Sequence, residues 1–133
     1  MQIVAQYGDL GPKWFHVSLR VLTLLGKKGT LMTSKELAEL TNTESSFIRK
    51  VLTKLVEANL VEVKEGKYGG YALMVSPEEL NIAEIYLLLS KDEYLKSNHL
   101  LIMKTDKKIS NIVKKAEESF VNTLREYRIF DLL

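Results

Sequence analysis

The sequence predicts a mainly α protein: a winged helix-turn-helix head with a small β-hairpin wing, followed by a long C-terminal dimerisation helix. Three observations predict it. A short capped helix is joined through a tight turn to an amphipathic helix with a polar, basic outer face. The hydrophobic period then switches from near four to two around a glycine-rich turn. Finally, a terminal stretch carries apolar residues at helical spacing well beyond what a small head requires.

Composition sets the frame. The chain has 133 residues, 46% of them hydrophobic, enough for one domain with its own core and too few to expect two. It lacks both an apolar run of membrane-spanning length and the basic-then-apolar start of a signal peptide, so a soluble, cytoplasmic protein is expected. There is no cysteine, which removes disulfides, thiolate zinc sites, thiolate-held iron-sulfur clusters and cysteine nucleophiles. No cofactor and no metal are expected. The formal charge is only +2, so any basic footprint for a polyanion must be local.

Residues 1–12 hold Gly8, Gly11 and Pro12 without a helical period and read as an N-terminal arm. From Lys13 to about Gly26, the polar residues Lys13, His16, Arg20, Thr23 and Lys27 recur at three- and four-residue steps. They leave a wide apolar arc of Trp14, Phe15, Val17, Leu19, Val21, Leu22, Leu24 and Leu25, which calls for two packing neighbours, the domain core and a second surface that a partner subunit could supply. Thr33-Ser34-Lys35-Glu36 fits a capping box and opens a short helix over 34–41. Asn42 supplies the turn and Thr43 the next N-cap. A third helix then runs to about Ala58, with Phe47, Ile48, Val51, Leu52, Leu55 and Val56 as its buried stripe and Asn59 as a left-handed cap.

Residues 60–75 alternate, with Val61 and Val63 on one strand and Tyr71, Leu73 and Val75 on the other, around Gly66-Lys67-Tyr68-Gly69-Gly70. Pro77 closes the hairpin. Asn81-Ile82-Ala83-Glu84 forms another capping box before a helix ending near Ser90. After a polar stretch, residues 106 to about 127 form the long helix. The domain reading is therefore an arm at 1–12, a winged helix-turn-helix DNA-binding domain at 13–90, and a linker with dimerisation helix at 91–133.

The outer face of the third helix carries Ser45, Ser46, Arg49, Lys50, Thr53 and Lys54. Arginine and lysine bind guanine edges or phosphates, and hydroxyls near a helix start reach phosphate oxygens. The DNA-binding candidates are thus Lys13, Thr43, Ser45, Ser46, Arg49, Lys50 and Lys54, joined by Lys64, Lys67 and Tyr68 from the wing, which would meet phosphate or the minor groove. Taken singly, each lysine reads equally as part of a solvated face. On the last helix Ile109, Ile112, Val113, Ala116, Phe120 and Leu124 are the candidate dimer interface; the alternative is that they pack on the chain's own core. No catalytic residue is assigned: His16 and His99, the two histidines, lie far apart with no partner at catalytic or metal spacing, and an enzyme is not expected.

Several runs carry a family resemblance over roughly Lys13 to Leu89. They are Ser34-Lys35-Glu36-Leu37-Ala38, Leu52-Thr53-Lys54-Leu55, Ala58-Asn59-Leu60-Val61, and Gly66-Lys67-Tyr68-Gly69-Gly70-Tyr71 followed by Pro77-Glu78-Glu79-Leu80. The sequence resembles the bacterial Rrf2 family of transcription regulators, of the IscR, NsrR and CymR type. The resemblance implies a homodimer bound to a palindromic operator on double-stranded DNA, with a long C-terminal helix crossing onto the partner; repression is the leading reading, with activation left open. Cluster-bearing members hold iron and sulfur on three cysteines before the long helix; the corresponding segment, Lys91 to Asp106, has none, so the resemblance here is to a cluster-free member. The recognition helix reads Phe47-Ile48-Arg49-Lys50, and Glu65 stands where a wing arginine is frequent, so the operator sequence does not carry over.

With thiol chemistry absent, the signal is left open between a small molecule held between the head and the long helix, a protein partner, and nothing beyond protein concentration, with Tyr94, His99 and Met103 the first residues to consider for a pocket. A second reading of the whole chain stays beside the first. A winged-helix protein-interaction module with weak or no DNA binding is favoured by the near-neutral charge and by Glu62 and Glu65 in the wing.

Overall fold

A computed structural model describes residues 13–93 and 106–133. The N-terminal arm and the effector candidates Tyr94, His99 and Met103 lie outside the described residues. Helix α1 spans Lys13–Lys28 and buries Phe15, Val17, Ser18, Val21, Leu22 and Leu25. It ends at Gly29, which takes the left-handed conformation at φ 69° and donates its amide to the Leu25 carbonyl at 2.9 Å. Lys27 and Lys28 in the last turn complement the negative end of the helix dipole.

Helix α2, Ser34–Thr41, begins with the expected capping box: the Glu36 amide donates to Thr33 Oγ1 at 3.1 Å, and the Thr33 amide donates to Glu36 Oε1 at 3.1 Å. Its end explains a departure from the sequence reading. Asn42 is left-handed at φ 50°, its amide donates to the Glu39 carbonyl, and the Thr43 amide donates to the Ala38 carbonyl, a Schellman closure. Thr43 is thereby occupied in ending α2, and its hydroxyl donates to the Thr41 carbonyl at 3.0 Å. It is not the N-cap of helix α3, Ser45–Glu57; that position falls to Glu44, which makes no side-chain cap bond.

Helix α3 buries Ile48, Val51, Leu52 and Leu55, while Phe47 and Val56 are only half-buried. Asn59 at φ 62° repeats the Schellman closure, with the Leu60 amide on the Leu55 carbonyl and the Asn59 amide on the Val56 carbonyl, both at 3.0 Å. The chain then turns into strand β1, Val61–Lys64, paired antiparallel with β2, Gly70–Leu73, in the register Val61 to Leu73 and Val63 to Tyr71. Met32 adds an isolated bridge to Tyr71, with amide-to-carbonyl bonds of 2.9 and 2.7 Å in the two directions. That bridge fixes the wing to the α1–α2 connection. It also explains Gly70: at φ 156° a Cβ there would stand 2.7 Å from the Met32 carbonyl oxygen.

Helix α4 covers Ile82–Glu93, about a turn beyond the expected end. The Asn81 side chain accepts the Ala83 amide at 2.9 Å rather than that of Glu84, while its Nδ2 donates across to the Arg125 carbonyl at 2.9 Å. Helix α5, Lys107–Leu124, starts at Asp106, whose carboxylate accepts the Lys108 amide at 2.8 Å. It stops short of the expected residue 127. The chain folds back instead: Arg128 bridges Asn81, the Ile82 amide donates to Tyr127, the Ile129 amide donates to Leu80, and a short 3-10 helix runs over Ile129–Leu132. Ile129 is fully buried in the core with Leu22, Leu25, Leu37, Ile48 and Ile85. This 3-10 helix packs on α1, so one of the two neighbours that α1's wide apolar arc calls for is the chain's own C-terminal segment.

Candidate nucleic-acid interface

Helix α3 stands across α1 and α2 with its apolar side inward, which turns Ser46, Arg49, Lys50 and Thr53 outward. Ser45, Ser46, Arg49 and Lys50 are exposed and Lys54 is half-buried. Thr53 donates its hydroxyl proton to the Arg49 carbonyl at 2.8 Å, so that proton is engaged within the helix, whereas the Arg49 and Lys50 side chains are exposed.

At the start of α3, Lys13 and Lys50 flank a cleft of about 440 Å³ whose lining includes Thr43, Glu44, Ser46 and Phe47. The Lys13 ammonium sits 5.0 Å from the centre of the Phe47 ring. Thus the first residue of α1 and the first turn of α3, distant in sequence, meet on one surface. Spacing alone puts Phe47 in the buried stripe. Its half-exposed position under a lysine is set by the packing of α1 on α3, which spacing within one helix does not reveal.

On the wing, Lys64, Lys67 and Tyr68 are all exposed, and Lys67 Nζ lies 5.5 Å from the Tyr68 ring centre. Glu62 and Glu65 are exposed on the same hairpin. The wing candidates and the α3 candidates occupy separate elements.

Behind α3, four aromatic rings tie the head to the long helix. Trp14 stacks on Tyr86 at 6.1 Å, Phe15 meets Tyr86 edge-on at 5.2 Å, and Phe120 of α5 meets Phe15 at 6.4 Å. Burial raises the Tyr86 hydroxyl pKa above its usual value, and the neighbouring Glu117 carboxylate raises it further through its charge and hydrogen bond. Phe120 and Leu124 therefore lie at the end of α5 that docks on its own head, whereas Ile109, Ile112, Val113 and Ala116 are exposed. Docking of these two on the chain's own core is the alternative that the sequence leaves open for this helix; Val121, the buried residue of α5, is the one that the apolar spacing did not single out.

The family model for Rrf2, described as an iron-dependent transcriptional regulator, matches residues 13–133. The chain belongs to the Rrf2 family. Among curated relatives, it is 29% identical over 128 residues to the HTH-type transcriptional regulator NsrR of Oceanobacillus iheyensis, covering 91% of this chain and 87% of that protein. It is 28% identical to NsrR of Bacillus subtilis, over 87% of this chain and 84% of the relative. Among solved structures, T. potens IscR superposes with a TM-score of 0.71 at 18% identity, covering 92% of this chain and 84% of that one. CymR of B. subtilis superposes at 0.69 with 20% identity, over 92% and 94%. These likenesses place the fold among winged-helix Rrf2 regulators, and the family membership makes the chain a DNA-binding transcription regulator rather than an enzyme.

The family description raises the question of iron. The chain has no cysteine, and among the described residues no three His, Cys, Asp or Glu side chains are grouped to hold a metal ion. This donor set does not fit a thiolate-held iron-sulfur cluster. Among the described residues no helix is long and apolar enough to cross a membrane.

Proposed function

We propose that this Rrf2 protein is a cytoplasmic, homodimeric repressor that binds a palindromic operator with sequence specificity. The domain division that goes with this reading is a DNA-binding head at 13–90 and a linker with dimerisation helix at 91–133. The observation that carries it is the exposed Ser46, Arg49 and Lys50 surface on α3, backed by a fully apolar inner face, with Lys13 beside it. Such a helix enters the major groove with its N-terminal residues on base edges, while lysines to either side meet phosphates. Arg49 and Lys50 read bases in this proposal; Lys13, Thr43, Ser45, Ser46 and Lys54 contact the backbone, and Lys64, Lys67 and Tyr68 extend the contact from the wing.

The dimer half of the proposal rests on α5. Ile109, Ile112 and Val113 expose 58, 68 and 58% of their surface, an apolar stripe at helical spacing that a second copy would cover. Two heads related by a two-fold axis then fit half-sites of opposite orientation. A small-molecule or protein effector would act by changing that arrangement.

Selection of bound sequences from a random DNA pool, with retention compared at low and physiological salt, tests the reading. A recovered palindrome with steep salt dependence is the expected result. The second reading, a protein-interaction module, is favoured by exposed Glu62 and Glu65 on the wing. It gives no enriched sequence and weak DNA retention that varies little with salt.

A further inference from the structure

Lys13 is the first residue of α1, where its charge opposes the positive end of the helix dipole, so helix stability does not account for it. The ammonium lies over the Phe47 ring, 5.0 Å from its centre, and both residues line the cleft that also holds Lys50, Thr43 and Ser46. Glu44 lines the same cleft and repels an anion, so the place at which a cation is held there matters. We infer that Phe47 is a positioning residue for DNA binding: its ring holds the Lys13 ammonium at the mouth of this cleft, ready for a backbone phosphate that Lys50 approaches from α3.

The inference rests on the DNA-binding reading above and adds a residue that contributes without reading a base. The physical reason is rotamer freedom. A lysine free in solvent must be ordered when it meets a phosphate, whereas one held against an aromatic face has lost part of that freedom in advance. The ring is half-buried and belongs to the recognition helix, so the clamp moves as one body with the residues that read DNA.

Binding of the full chain to a mixed-sequence duplex, with Lys13→Ala, Phe47→Leu, Phe47→Tyr and the Lys13→Ala/Phe47→Leu double variant, tests this. Phe47→Leu is expected to weaken binding about two- to five-fold, the size of an exposed cation-π contact, and Phe47→Tyr to restore it. Lys13→Ala should flatten the salt dependence by about 0.9 in log-log slope per protomer. In the Lys13→Ala background, Phe47→Leu should have no further effect. A Phe47→Leu loss that persists without Lys13, or no loss in the parent background, overturns the inference while leaving the DNA-binding reading standing. A readout independent of DNA is the ring-current shift of the Lys13 ε-methylene protons, expected in the parent and in Phe47→Tyr and absent in Phe47→Leu; unshifted protons in the parent also overturn it. A parent protein with no affinity for duplex DNA overturns the phosphate role together with the reading beneath it.

Discussion

The Tyr86 and Phe120 rings meet edge to face with centroids 5.0 Å apart, and this contact joins α5 to the aromatic cluster that reaches Trp14 beside α3. Phe120 is 37% exposed, so its truncation to alanine should cost less than a fully buried phenylalanine, about 1–3 kcal/mol. Urea unfolding measures this. Trp14, the only tryptophan, stacks on Tyr86 and should report the change as an altered emission spectrum in the folded state. An unchanged midpoint and spectrum would mean that Phe120 does not hold α5 to the head.

Glycine at the base of the wing is a second point of leverage. Gly70 combines φ 156° with a Cβ position 2.7 Å from the Met32 carbonyl oxygen, while Gly29 at φ 69° has open space around it. Gly70→Ala must displace the Met32–Tyr71 bridge and should cost about 2 kcal/mol or more, against about 1 kcal/mol for Gly29→Ala, where only the left-handed backbone is penalised. Thermal unfolding of the two variants gives the order. Equal effects would show that the bridge yields without cost.

These residues mark how far the sequence could be read. The helices, the hairpin and the Thr33 capping box were legible because they rest on local periodicity and on short-range side-chain bonds. The Met32 bridge and the fold-back of Arg128 to Leu132 were not, because each joins segments distant in sequence through backbone hydrogen bonds, which no local periodicity encodes. Thr43 reads as a cap in the sequence, but two closures compete for it, the end of α2 and the start of α3, and the first wins. At the candidate site, Arg49 and Lys50 followed from helix phase alone, whereas the meeting of Lys13 with Phe47 is a tertiary fact.

Glu36 links the capping box to pH. The Thr33 backbone amide is the main cause that holds its carboxyl below the usual value of 4.5; desolvation, next in size, pushes the other way, and the Lys28 charge and the hydrogen bonds from the Thr33 and Lys28 side chains add to the lowering. A depressed folded-state pKa contributes stability that is present above the unfolded value and lost as pH falls through the folded one. The stability difference between the parent and Glu36→Gln should therefore be constant near neutrality and shrink below about pH 4.5. Lys28→Ala should change little, since the Lys28–Glu36 pair is an exposed contact at 3.5 Å. A difference independent of pH across this range would remove the carboxylate from the cap.

On the proposed reading face, Arg49→Ala or Lys50→Ala should cost about 1–3 kcal/mol on a selected operator and relax the preference at one base position. Lys54→Ala should instead weaken all sequences alike and lower the salt slope by about 0.9 per protomer. Competition binding against single-base operator variants separates the two kinds. If both Arg49→Ala and Lys50→Ala bind as the parent does, α3 does not read bases through this face.

The dimer proposal turns on Ile112, which exposes 68% of its surface in line with Ile109, Val113 and Ala116. A carboxylate there is harmless to an isolated chain, where exposed substitutions change stability by about 0.5 kcal/mol or less. Facing a second α5, the same carboxylate would be buried against apolar side chains without a partner, a cost large enough to dissociate a small interface. Ile112→Asp should thus sediment as a monomer with an unfolding midpoint close to that of the dissociated parent. Its affinity for a palindrome should fall to that of single half-sites, because the second head no longer binds as part of the same particle. Phe120→Ala provides the contrast, since it loosens the head-facing end of α5 while leaving the exposed stripe intact. An Ile112→Asp protein that remains dimeric would place the two-fold contact elsewhere on the chain, and a parent that is monomeric at working concentration would remove the dimer from the proposal altogether.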